Sequence, residues 1–142
     1  MDKEDIRLIA EELTKGTKEK LTESEIELVS QHPLLAQGLL MVQDYAENVA
    51  KQAHRVNPDI PEDAYRHTLW SYLLTKTYGA DFAKVVTDAH EISDSKESEA
   101  DHRMDYNNNS VGRRYALAGY SESSILDRVM SDPDVILSKH DA

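Results

Sequence analysis

Apolar side chains recur three and four residues apart along almost the whole chain, and alternating runs are scarce. That periodicity restricts the fold to helices packed on helices. Leu35, Leu39, Val42, Ala46, Val49 and Ala53 give the longest stripe, which ends before "NPDIP". Ile6, Ile9 and Leu13 begin a shorter one closed by Gly16, and Thr22 with Glu25 reads as a capping box opening a helix that runs to about Ser30. Pro33 suits the first turn of the long helix, where its missing amide proton has no partner to lose. A further helix is predicted over roughly Pro61 to Tyr78, with Gly79 as a left-handed cap, and another over "FAKVVTDAHEI", capped by Asp81. "SDSKESEADH" reads as a polar loop, "MDYNNNSVGRRYALAGY" as helix, and "SESSILDRVM" as a last short helix before a polar tail. The expectation is an all-α fold: residues 1–142 form one compact bundle of about six helices, with N-terminal helices over 4–55 and a motif core over 61–118.

Composition narrows the function without naming it. With 27 acidic and 16 basic side chains, the net charge of -11 repels a phosphate backbone, and no basic run offsets it, so nucleic acid is not an expected partner. The absence of cysteine removes disulfides, thiolate metal ligands and a cysteine nucleophile. The acidic start "MDKEDIRLIAEEL" is unlike a secretion signal, and the longest apolar stretch, Pro33 to Val42, is too short to span a bilayer. The expectation is a soluble protein without a transmembrane segment, cytoplasmic or exported by a route that uses no conventional signal peptide.

The chemistry-bearing residues gather in three helical segments. Asp63, His67 and Trp70 share one face of the first, with Arg66 beside them; Asp88 and Glu91 share a face of the second, from which His90 points elsewhere unless the helix ends early; Asp105 and Asn109 share a face of the third, next to Asn107, Asn108, Gly112 and Arg113. If these helices pack as neighbours, His67, Asp88, Glu91, Asp105 and Asn109 converge. His67 then serves as general base or metal ligand, or as a buried structural histidine. Asp88 and Glu91 orient it, bind metal or act as acids, or merely form a solvated helix end. Asp105 and Asn108 are candidate oxygen ligands for a divalent cation such as calcium, or turn and cap residues. Arg66, Trp70, Asn109 and Arg113 are candidate substrate contacts, with ion-pair and core roles as the alternatives. His32, His54, His102 and His140 look incidental. No two-histidine zinc helix, calcium loop, phosphate loop or serine elbow is present.

The ordered motifs "DAYRHTLW", "DAHE" and "MDYNNNSVGRR" resemble an uncharacterised bacterial domain family with the pattern D-A-x-R-H-x-x-W, D-A-H-E and M-D-x-x-N-N-x-x-G-R, found in polymorphic-toxin-type and wall-associated proteins. The resemblance covers Asp63 to Arg113. It implies that Arg66, His67, Trp70, Asp88, His90, Glu91, Asp105, Asn108, Asn109, Gly112 and Arg113 hold the motif positions. Here the loop before Met104 is acidic and serine-rich, where similar domains tend to carry glycine and proline.

Two functional readings follow. In one the chain is a toxin-like antibacterial effector, a hydrolase acting on envelope phospholipid or peptidoglycan, with catalytic His67, Asp88 and Glu91 and a cognate immunity or delivery protein as partner. In the other it is a non-enzymatic, acidic all-α immunity or regulatory protein whose polar cluster is structural.

Overall fold

The computed structural model describes residues 36–93 and 97–141. Among these residues five α-helices and no strand are found: α1 (Ala36–Val56), α2 (Glu62–Tyr78), α3 (Ala80–Ser93), α4 (Glu99–Leu117) and α5 (Ile125–Ser131). Single 3-10 turns lie at Glu122–Ser124 and Lys139–Asp141. The all-α expectation is met. The helices predicted around Ile6–Leu13 and Thr22–Ser30, and the Pro33 start, lie outside the described residues.

Helix α2 is central and touches α1, α3, α4 and α5. It is buried nearly all round, with Ala64, Tyr65, Leu69, Trp70, Tyr72 and Leu74 in the core beside His67, Thr68, Ser71 and Thr75. A helix enclosed on all sides must bury its polar residues too, which is why the Arg66–His67 pair sits in the core helix. From α1 the core takes Leu39, Ala46 and Ala50, with Val42, Val49 and Ala53 packed against them, the stripe expected from the sequence.

Helix α4 lies closest to α2 because Gly112 has no side chain. A Cβ there would collide with the Thr68 carbonyl oxygen and stand 3.0 Å from both Ser71 Cβ and the Tyr72 amide. The close approach lets Ser71 Oγ donate to the Asn109 carbonyl at 2.6 Å.

Several boundaries differ from the sequence reading. Gly79 ends α2 at φ 93°, ψ 157°, which is a positive-φ conformation suited to glycine but not a left-handed helical cap. Asp81 lies inside the first turn of α3, where its charge favours the helix dipole, instead of capping it. Helix α4 begins at Glu99, inside the stretch read as loop. Ser98 accepts from the Asp101 amide while Asp101 accepts from the Ser98 amide, a capping box with aspartate in place of glutamate. The polar tail is also tied down: Val135 is buried, and Asn107 and Asn108 bind the backbone of Asp134 and Ile136. No helix among the described residues is long and apolar enough to cross a membrane.

Candidate functional site

The α2–α3–α4 junction brings His67, Glu91 and Asp105 together. Their side chains are 4 %, 1 % and 3 % exposed, and one ligand atom from each lies within 4.8 Å of the others. His67 Nε2 stands 3.3 Å from Asp105 Oδ1. Glu91 Oε2 meets His102 Nδ1 at 3.0 Å, and Glu97 Oε2 lies 3.9 Å from that same nitrogen. Glu91, Glu97 and His102 form a second group of three converging donors, so Glu91 belongs to both.

Burial sets the electrostatics. It holds the His67 imidazole well below its ordinary pKa, helped by the neighbouring Arg66 and His90 charges, so the ring is neutral with a lone pair to offer. It also pushes the Asp105 carboxyl up to about 10, reinforced by Glu91 and Glu97, which stand close enough to share its proton. A buried acid with two further carboxylates beside it resists ionisation unless a cation joins it.

Hydrogen bonding is incomplete here. His67 Nδ1, Glu91 Oε1, Asp105 Oδ1 and both amide atoms of Asn109 are buried without a hydrogen-bond partner. Asn109 adjoins the His67 ring closely enough to favour its protonated form as a hydrogen-bonding neighbour would, yet neither of its amide atoms meets a partner in good hydrogen-bond geometry. Such orphans are rare in native proteins and call for an explanation, which a shared proton, a buried water or a bound ion can each supply. Two donors held by a tetrahedral ion at about 2.1 Å stand roughly 3.4 Å apart, close to the His67–Asp105 separation of 3.3 Å. The mixed imidazole and carboxylate set suits a first-row transition ion better than calcium, which takes oxygen ligands.

The structure gathers some of the predicted residues and not others. His67, Glu91, Asp105 and Asn109 converge as expected. Asp88 instead faces Lys84, with Nζ and Oδ2 2.5 Å apart, because it sits off the inward stripe of α3. Arg113 reaches toward Thr87 Oγ1 at 3.5 Å and lies near Asp88; its burial lowers its pKa, against the effect of that carboxylate. Arg66 pairs with Asp63 at 3.3 Å and places Nη2 3.4 Å from His67 Nε2. Asn108 is occupied elsewhere: its Oδ1 accepts from the Ile136 and Asn107 nitrogens, and its Nδ2 donates to the Ile136 carbonyl. Trp70 forms a wall, with ring centroids 6.3 Å from His67 and 5.4 Å from His90, both edge-on.

Two histidines need correction. His90 does not point away from the site. Buried Ala83, Val86, Thr87 and His90 form the i, i+3, i+4, i+7 stripe of α3, which places the imidazole 6.5 Å from that of His67. His102 is not incidental, since it is the partner of Glu91. Its signal was the S-x-x-D box: once α4 starts before residue 100, His102 and Asp105 share a face at i, i+3. His54 binds the Ile60 carbonyl at 2.7 Å, away from this cluster, and His140 is exposed.

A family model described as a domain of unknown function (DUF6973) matches residues 26–133, more than half of the chain, and the chain belongs to that family. No curated protein and no solved structure matches it.

Proposed function

We propose that this member of the DUF6973 family is a metal-dependent hydrolase centred on His67, Glu91 and Asp105, and that it acts on the bacterial envelope as a toxin-like effector domain. One observation carries the chemical part: three buried donors converge within 4.8 Å while several of their atoms lack partners. A divalent cation there supplies Lewis acidity, polarising a carbonyl or phosphoryl oxygen and acidifying water. The neutral His67 imidazole offers a lone pair as ligand or base, and Trp70 shields the pair from bulk solvent. A cavity of about 420 Å³ is lined by Asp63 of α2 and by Asp101 and Met104 of α4, with Leu137 and Lys139 from the C-terminal segment. Asp63 and Asp101 stand one helical turn before His67 and Asp105, so the cavity adjoins the cluster, although none of the three donors lines it. The effector role and the choice of phospholipid or peptidoglycan rest on the motif resemblance, as does a cognate immunity or delivery protein as partner.

The test is hydrolysis of anionic phospholipid vesicles and of purified peptidoglycan by the zinc-loaded protein, beside His67→Ala. The expected result is product from one of them, lost in a variant that still folds. Full activity in His67→Ala overturns the site.

A second reading has one observation in its favour: the cluster is almost fully buried, as in a structural network. It describes an acidic all-α immunity or regulatory protein. Its signature is a metal-independent protein that hydrolyses neither substrate, with His67→Ala melting much lower than the wild type.

A further inference from the structure

Glu91 has one oxygen committed to His102 and the other, Oε1, buried without a partner. It is also the only residue common to the two groups of converging donors, His67–Glu91–Asp105 and Glu91–Glu97–His102. A carboxylate common to two neighbouring donor sets, with one oxygen already on His102 and the other uncommitted, is placed to bridge them. We infer that the site takes two divalent first-row transition ions, one on His67 and Asp105, the other on His102 and Glu97, with Glu91 bridging them.

The donor chemistry is balanced across the bridge. Each position receives one imidazole nitrogen and two carboxylate oxygens, so neither is a weaker copy of the other. The His102–Glu91 separation of 3.0 Å matches two adjacent ligands on an octahedral ion with bonds near 2.1 Å. A shared carboxylate holds paired ions about 3.5–4 Å apart, the spacing that two-metal hydrolytic sites use to bind the attacking and leaving oxygens together. Three carboxylates against two divalent ions leave a surplus positive charge at the centre. The sequence supplies the second position through α4 itself, because its early start sets His102 one turn before Asp105 and Glu97 just before the cap. The inference rests on the metal-dependent reading above and extends it from one ion to a pair.

Metal content and manganese resonance of the full chain test it. The protein is stripped with chelator, dialysed against excess Mn²⁺, freed of unbound metal and assayed for ions per chain, together with His102→Ala, Glu97→Gln and Asp105→Asn; circular dichroism checks that each variant folds. The expected result is two ions per wild-type chain with the spectrum of a spin-coupled pair. His102→Ala and Glu97→Gln then hold one ion with an uncoupled six-line spectrum, and Asp105→Asn weakens the other position. One uncoupled ion in the wild type, retained in His102→Ala and lost in Asp105→Asn, overturns the pair and leaves the single-ion hydrolase standing. Two ions retained in a folded His102→Ala also overturn the pairing. No bound ion in the wild type overturns both the pair and the metal-dependent reading beneath it.

Discussion

Asn108 and Asn109 are adjacent, equally buried and chemically identical, yet α4 uses them in opposite ways. Asn108 uses both its amide nitrogen and its amide oxygen on the C-terminal segment, where Arg114 also reaches Asp132 and Asp134 at 3.1 Å and Tyr115 donates to Asp132 at 2.5 Å. Asn109, one residue on and about 100° round the helix, faces His67 and makes none. The latch half of α4 is a closed polar network, and the His67 half is an open one. A fold that can satisfy polar groups so fully on one face has the means to do so on the next. The open half is therefore better explained by a missing ligand than by poor packing.

The largest expected effect tests what both halves share, the α2–α4 contact. Gly112→Ala gains about 1 kcal/mol of helix propensity. It must, however, push two helix backbones apart at Thr68 and Tyr72, where neither side is a flexible side chain. Overpacking of this kind costs up to about 3 kcal/mol, so the variant should be less stable by roughly 2 kcal/mol net. Urea unfolding reads this directly, and an unchanged midpoint would mean that the helices are not in backbone contact.

Asn108→Ala comes next. It strands the Ile136 amide and carbonyl together, and each buried orphan costs about 1–3 kcal/mol when it cannot reach water. Because Ile136 is only half-buried and alanine returns roughly 0.5 kcal/mol of helix propensity, a loss of about 1.5 kcal/mol is expected, with faster hydrogen exchange over residues 132–137. Equal exchange in both proteins would show that the latch is held by Arg114 and Tyr115 alone.

A smaller effect is set by pH at the same latch. Burial alone would raise the Asp132 pKa, but the Tyr115 hydroxyl, the Asp134 amide and Arg114 together outweigh it and hold the group below its ordinary value. A carboxylate with a depressed folded pKa stabilises the protein above its unfolded pKa, near 3.9. That contribution disappears as the pH falls through the lower folded value. Stability measured from pH 5 downward should fall below about pH 4, and fall less steeply in Asp132→Asn. Identical slopes in the two proteins would place the acid sensitivity elsewhere.

How much of this was legible in sequence divides along the same line. Helical periodicity gave the all-α class, the α1 stripe and the limits of α2, because burying an apolar face is a local demand that repeats every turn. The asparagine run was readable as needing partners, since propensity argues against three in a row. Which asparagine found partners was not readable, because that depends on where residues 132–137 dock, 28 positions from Asn108 for Ile136. His90 was legible and misread: its phase relative to Ala83 and Val86 already placed it inward. His102 and Glu97 were hidden by a helix start judged from polarity, where the serine–aspartate cap outweighs polarity because it satisfies amides that the loop reading leaves open.

The smallest expected effect is the most informative. Asn109→Ala, in the absence of added metal, removes two buried amide atoms that lack hydrogen bonds, returning about 1–3 kcal/mol of desolvation. Alanine adds roughly 0.5 kcal/mol of helix propensity. Against these stands a small cavity beside His67, which costs about 1–2 kcal/mol. The balance lies slightly on the side of alanine, so Asn109→Ala should melt at the wild-type temperature or a few degrees above it, while Asn108→Ala melts well below. The same substitution at neighbouring, equally buried positions then separates a closed network from an open one. If Asn109→Ala instead costs as much as Asn108→Ala, Asn109 already has partners in solution, and the His67 face of α4 is as complete as the latch.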